Sequence, residues 1–229
     1  MNFTQTPAKI TATRCTIAAT PSTQDAVYRL RYHCYRRKLS IAEREDQRFQ
    51  DDYDSMPNSF SFLVQGEAEE PLATVRISVV RPDCGWTHSP VEHVYGDHPA
   101  YQRIASESYV EASRLCFGPQ ARRDSFVRLL GHMAALAEFY EVAWLVACPR
   151  EEHSLVYQRM FGFRPLAEPR QYFGVKFKTQ LLAVRCDELR RHVDSERPMV
   201  EAWSDALGWM GQSASLPALS QGRSQTVNA

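Results

Sequence analysis

No sign of charge dominates this sequence. Lys plus Arg number 27 and Asp plus Glu number 27 among 229 residues, so no overall field gathers a polyanion and charge-driven nucleic-acid binding is excluded. Paired cysteines are missing too. Six cysteines are scattered at positions 15, 34, 84, 116, 148 and 186, with no CxxC and no His at ligand spacing. That argues against a zinc site and against a disulfide-stapled secreted domain, and no bound metal is expected. No stretch approaches the roughly 18 apolar residues of a membrane span. The opening "MNFTQTPAKITATRC" lacks the basic start and apolar run of a signal peptide. A soluble, cytoplasmic protein is the expectation. There is no internal repeat, and no Pro/Gly/Ser linker interrupts the chain before its end. Residues 1–210 therefore read as a single domain, and 211–229, rich in Ser, Gln and Gly, as a disordered tail.

What is present is ordinary globular composition, 44% hydrophobic, 24% charged and 11% aromatic. A short strand is expected around Ile10–Ala19. A helix follows, capped by Ser22 or Thr23, with Val27, Leu30 and Cys34 on one side and the i, i+4 pair Arg31 and Tyr35 on another. Charge then swings: residues 29–38 carry five positive side chains, and 43–54 carry six acids against two arginines. "SFSFLVQG" (59–66) and "LATVRISVV" (72–80) read as strands. In the second, Ala73, Val75, Ile77 and Val79 face one way and Thr74, Arg76 and Ser78 the other.

Residues 81–107 read as loop with a short helix. Asp124 is expected to cap an amphipathic helix over 125–140, and "VAWLVACP" (142–149) suits a strand buried on both faces. A helix over 151–161 ends at Gly162, "FRPLAE" and "GVKFKTQLLAVRC" are strand candidates, and a last helical stretch surrounds 187–210. The order implies a mixed α/β domain, with helices on both sides of a central sheet.

The strand "YVEASRLCF" (109–117) places Glu111 and Arg114 among residues otherwise fit for burial. Charges in a sheet interior need partners or a task. Residues three apart on a regular strand also point to opposite faces.

Four features in order, "RYHCYRRKL", "DDYD", "LATVRIS" and "VEASRLCF", resemble the acyl-homoserine-lactone (autoinducer) synthases and their relatives in the GNAT acyltransferase superfamily. The matching positions are Arg31 and Tyr35, Asp51 and Asp54, Arg76, then Glu111 and Arg114. The later run "ACPREEHSLVYQRMFGFRPLAEPRQY" is similar to the FeeM-type long-chain N-acyl amino acid synthases, through Pro149, Arg150, His153, Tyr157, Gly162 and Phe163. The resemblance covers roughly residues 25–186. Ile41 stands where autoinducer synthases carry Trp. "GPQARRDS" replaces the pyrophosphate loop of CoA-dependent GNAT enzymes, which suits a donor carried by an acyl carrier protein, with acyl-CoA as the other source.

The resemblance implies a GNAT-like fold: a central mixed twisted sheet of six to eight strands, splayed beside 109–117 into a slot for the acyl-pantetheine arm. A bulge in that strand would realign Glu111 and Arg114. It implies transfer of a long-chain acyl group from a phosphopantetheine thioester to an amino acid's amine, with no resident cofactor. Glu111 would act as base or as a structural ion-pair partner, and backbone N–H groups around Leu115 and Phe117 would face the thioester carbonyl. Tyr157 would protonate the thiol or simply pack. Arg31, Tyr35, Asp51, Asp54, Arg76, Cys116 and His153 fall on the acceptor side; in the alternative reading Glu111, Arg114, Arg31, Asp51, Asp54 and Arg76 form a buried ion network that pins the first helix and its loop to the sheet. Arg122, Arg123 and Arg128 at a helix N-terminus, with Arg150, would receive the pantetheine phosphate or an acidic carrier protein, or form a solvated face. The alternatives are lactone synthesis from S-adenosylmethionine and a catalytically silent acyl-carrier or lipid-binding module.

Overall fold

The computed structural model describes residues 13–193, 197–213 and 216–217. Strands β1 (Arg14–Ile17), β2 (Ser59–Gln65), β3 (Pro71–Val80), β4 (Tyr109–Phe117) and β5 (Trp144–Ala147) form most of a seven-stranded sheet. It is completed by β6 (Arg164–Pro165) and β9 (Leu182–Arg185), in the order β1-β2-β3-β4-β5-β9-β6. Between these last two in sequence, β7 (Arg170–Gln171) and β8 (Lys178–Thr179) pair as a separate hairpin. Every neighbouring pair in the large sheet is antiparallel except β4 and β5, which run parallel.

The helices are α1 (Pro21–Arg37), α2 (Pro90–Tyr95), α3 (Pro99–Ala105), α4 (Arg123–Phe139), α5 (Ser154–Phe161), α6 (Cys186–Val193) and α7 (Arg197–Met210). The expected sheet of six to eight strands with helices on both faces is what forms.

Alternation in β3 decides which face meets what. Val75, Ile77 and Val79 join Phe60, Phe62 and Val110 against Leu129, Met133 and Leu136 of α4. Each such fully buried side chain contributes roughly 1.5–3 kcal/mol. Gly131 lets α7 lie close on α4, since a Cβ there would stand 2.7 Å from the backbone of Ala202. The other face of β3 carries Thr74, Arg76 and Ser78, all fully buried. That side of the sheet is roofed by α1 over β3, by a 3-10 turn at Asp52–Ser55 over β2 and by α2 over β4.

Several element boundaries differ from the sequence reading. The α1 cap is Thr20, whose hydroxyl accepts from Thr23 N at 3.2 Å, because Pro21 suits the first helical position and moves the start upstream. Arg122, not Asp124, occupies the α4 cap position; Asp124 lies in the first turn and accepts from Thr13 Oγ1 at 3.1 Å. The run 151–161 begins as a 3-10 turn (Glu151–His153) and becomes helical at Ser154. "GVKFKTQLLAVRC" is divided between β8 and β9, and the last helical stretch is two helices. Residues 81–107 hold two short helices rather than one. Of the expected first strand, residues 10–12 lie outside the described residues. Of 211–229, residues 214–215 and 218–229 lie outside them, whereas Leu216 is buried in the α4 core and the Pro217 carbonyl accepts from Tyr140 Oη at 3.1 Å. Among the described residues, no helix is long and apolar enough to cross a membrane.

Candidate active site

The parallel pairing of β4 and β5 stops early. It runs from Tyr109 opposite Trp144 to Ala112 opposite Ala147, where β5 ends, while β4 continues to Phe117. From Ser113 onward the β5-side edge of β4 has no strand partner. A cavity of about 370 Å³ opens there. Residues 112–117 of β4 form one wall, and the segment after β5 (Cys148, Pro149, Arg150, His153) with Val156 and Tyr157 of α5 forms the other. Cys34, Tyr35 and Arg37 at the end of α1, Lys38 and Ser40 just after it, and Phe126 and Phe177 close it.

The bulge lies within this wall. Thr74 pairs with Cys116 and Arg76 with Ser113, so Arg114 and Leu115 together oppose Val75 alone. Arg114 takes the extra turn with φ 54°, a left-handed conformation that costs an L-residue about 1–2 kcal/mol. Its contacts offset that cost. Arg114 Nε and Nη2 donate to Asp51 Oδ2 at 3.2 and 2.7 Å, and the guanidinium lies 4.5 Å from the Phe49 ring centre. Tyr172 and Phe173 sit at 5.6 and 5.5 Å. Gly174, at φ 72°, brings its backbone over the same group, where a Cβ would lie 3.7 Å from Arg114 Nη2.

The carboxylates come from the turn at Asp52–Ser55, which Asp51 caps by accepting from Tyr53 N at 3.1 Å. Asp54 Oδ2 accepts from Asp51 N, and Asp54 Oδ1 accepts from Arg31 Nη1 at 2.7 Å. Arg31 Nη2 also donates to Ser61 Oγ at 2.8 Å. Fully buried Arg76 gives Nη1 to Asp51 Oδ1 at 2.5 Å and Nε to Ser113 Oγ at 3.1 Å. Three guanidiniums thus share two carboxylates. Burial raises the Asp51 pKa, but Arg76 and Arg114 outweigh it and hold the carboxyl below its ordinary range. Arg31, Asp51, Asp54, Arg76 and Arg114 form the ion network read from the sequence and tie α1 and its following loop to the sheet, whereas Glu111, read as a sixth member, makes no ion pair among the described residues.

Glu111 lies on the same side of β4, fully buried. Val91 N, in the first turn of α2, donates to Glu111 Oε2 at 2.8 Å, and Tyr172 Oη donates to Oε1 at 3.4 Å. Burial pushes its pKa up to about 7, partly countered by the Val91 hydrogen bond and by Arg76. A carboxyl that changes charge near neutrality can take a proton there. Glu111 does not itself line the cavity; its strand neighbours Ala112 and Ser113 do, as does Cys148 across the gap.

The remaining sequence-predicted residues divide. Arg114, Leu115, Cys116, Phe117, Tyr35, Arg150, His153 and Tyr157 line the cavity. Tyr157 stands edge-on to Phe161 and Phe163, and burial raises its pKa well above the ordinary tyrosine value. Cys116 Sγ donates to the Arg114 carbonyl and Cys34 Sγ to the Phe117 carbonyl, both at 3.2 Å. Arg150 stacks 4.5 Å over Phe177 and pairs with Glu152. His153 is exposed at the rim, where partial desolvation of its ring, followed by the Lys38 charge, lowers its pKa. Arg31, Asp51, Asp54 and Arg76 sit behind the wall, in the ion network.

The basic group at the α4 N-terminus is not one patch. Arg122 and Arg123 are exposed beside the cavity residue Phe126, whereas partly buried Arg128 faces Cys15 of β1. Sequence reading missed Phe49, Tyr53, Tyr172, Phe173 and Phe177. The dense aromatics of "RQYFGVKF" were a signal, but no period marked them as a strap across β4.

Residues 26–185 match the family model described as N-acyl amino acid synthase FeeM. No curated protein sequence matches the chain. Among solved structures, the chain is similar to FeeM, an N-acyl amino acid synthase from uncultured soil microbes. The TM-score is 0.66 at 15% identity, over 80% of this chain and 95% of that one. It is similar to a CoA-dependent acyl-homoserine lactone synthase, BjaI, at TM-score 0.55 and 14% identity over 91% and 92% of the two chains. A third likeness is an N-acetyltransferase from Lactobacillus plantarum at TM-score 0.53 and 14% identity, over 76% and 99%. These likenesses establish the GNAT-like fold.

Proposed function

The chain belongs to the FeeM family of acyltransferases, and from that premise we propose that it moves a long-chain acyl group from a phosphopantetheine thioester to the α-amine of an amino acid. The observation that carries this reading is the cavity beside the unpaired edge of β4, with a buried carboxyl of near-neutral pKa behind the same strand.

The pantetheine arm enters between β4 and the segment after β5. The acceptor's α-amine, mostly charged at neutral pH, must first lose a proton. Glu111 takes that proton through a water, since it stands one strand position behind the lining residues. The neutral amine attacks the thioester carbonyl. The oxyanion is held by amide N–H groups of the open β4 edge, around Leu115 and Phe117. As the C–S bond breaks, Tyr157 protonates the leaving sulfur and is reprotonated by the proton that the attacking nitrogen sheds, and the products are an N-acyl amino acid and the free thiol. The Asp51 and Asp54 network fixes Arg114 and Arg76 around this centre; its members are positioning residues. Arg150, on the segment after β5, lies where the pantetheine arm enters, His153 at the rim suits the acceptor's carboxylate, and exposed Arg122 and Arg123 suit an acidic carrier protein. The missing pyrophosphate loop favours such a carrier over CoA as donor.

The test is mass spectrometry of purified protein given a palmitoyl carrier thioester and mixed amino acids, in parallel with S-adenosylmethionine. Open-chain N-acyl amino acid is the expected product. An acyl lactone, or no transfer to any amine, would overturn the reading.

A further inference from the structure

Among the described residues, four of the five exposed large apolar side chains gather around the mouth of the cavity, Val200 on α7 being the fifth. Leu39 is 71% exposed, Leu155 58%, Val156 45% and Met160 44%. Leu39 stands between Lys38 and Ser40, both cavity-lining residues, and Val156 lines the cavity from α5. Leu155, Val156, Arg159 and Met160 occupy helix positions i, i+1, i+4 and i+5, which is one outward face. Leu39 also takes φ 53°, so it gains neither from burial nor from its backbone conformation. The fold gives no account of such a residue.

Cations surround these tips. Arg37, Lys38 and Arg159 are exposed, and none forms an ion pair among the described residues, although the neighbouring Arg36 and Arg150 do. The acids near the rim include Glu43, paired with Arg36 at 3.6 Å, Glu151, and Glu152, held by Arg150 at 2.6 Å.

We propose that this rim docks the protein on an anionic lipid bilayer, with the cavity mouth toward the headgroups. Protruding Leu, Val and Met tips backed by long cations match the acyl boundary and the headgroup phosphates above it. A partner helix would instead require a groove to lie in. The concave surface here is the cavity, whose volume the thioester arm needs. Docking also shortens the route of an acyl amphiphile from cavity to membrane; that point, and the reservation of the cavity for the thioester arm, rest on the acyl-transfer reading above, whereas the apolar and cationic make-up of the rim does not.

The experiment is flotation of the full chain with phosphatidylglycerol-rich vesicles and with pure phosphatidylcholine vesicles, without substrates. Wild type is expected to float with the anionic vesicles and to be released by salt. The triple variant Leu39→Ser, Leu155→Ser, Met160→Ser, checked for an unchanged melting temperature, is expected to lose about tenfold or more in partitioning. Single Leu39→Asp serves if the triple variant melts early. None of these three side chains lines the cavity, so turnover of a short-chain donor in vesicle-free buffer should persist. Absence of wild-type flotation would overturn the proposal, as would equal flotation of the variant. Loss of carrier-protein affinity with vesicle binding intact would assign the rim to the carrier and also overturn it.

Discussion

Glu111 and Arg114 stand three residues apart on β4, yet both meet Tyr172. Its hydroxyl donates to Glu111 at 3.4 Å and its ring centre lies 5.6 Å from the Arg114 guanidinium. The left-handed bulge at Arg114 makes this possible, because on a regular strand the two side chains would point to opposite faces. A proton acceptor and a fixed cation are thereby held under one aromatic strap beside the open strand edge.

Replacing Glu111 by Gln should lower acyl transfer by about 10²–10⁴-fold while far-UV circular dichroism is unchanged. In wild type, kcat/KM should rise with pH through about 7 as Glu111 ionises, and the variant should lose that limb. A wild-type profile flat across neutrality would contradict the base assignment.

Stability carries the opposite pH sign. The folded Glu111 holds its proton up to about pH 7, whereas an unfolded glutamate loses it near the ordinary value of 4.5. Between those pH values the native state binds more protons, so wild-type stability falls as pH rises, by at most about 3 kcal/mol. Glu111→Gln should therefore melt above wild type at pH 8 and close to it at pH 4. Thermal melts at the two pH values check this.

Asp51 serves two buried guanidiniums at once. Asp51→Asn should leave Arg76 and Arg114 short of charge and cost roughly 3–5 kcal/mol in urea unfolding. Adding Arg114→Met should recover part of that loss, and strict additivity of the two changes would contradict a shared network.

Tyr157→Phe keeps the ring packed against Phe161 and Phe163 and removes only the hydroxyl. If Tyr157 protonates the departing thiol, kcat should fall about tenfold or more with little change in melting temperature. An unchanged kcat would leave the residue a packing role.

Arg122→Glu with Arg123→Glu should weaken carrier binding in a titration and leave the amino acid KM within about twofold, because both side chains are exposed and outside the cavity lining. Equal carrier affinity would remove these two arginines from the docking surface.

Much of this arrangement was legible in the sequence. The alternation of 72–80 assigned both faces of β3, and the charges at 31, 51, 54, 76 and 114 announced a buried network because a sheet interior tolerates them only when paired. What was not legible is non-local or short. Two helices in 81–107 are of 6 and 7 residues, too brief to show a period, although Pro90 and Pro99 at their first positions, after Ser89 and His98, were start signals. The Val91 amide and the Tyr172 hydroxyl reach Glu111 from 20 and 61 residues away. No spacing rule connects them.

The most direct test of the central claim is release of free carrier thiol after the purified protein meets a long-chain acyl carrier thioester at pH 8, with and without amino acids. The account predicts amino-acid-dependent release in wild type and its collapse in Glu111→Gln. Release that ignores the amino acid, or that persists at the full rate in the variant, would contradict it.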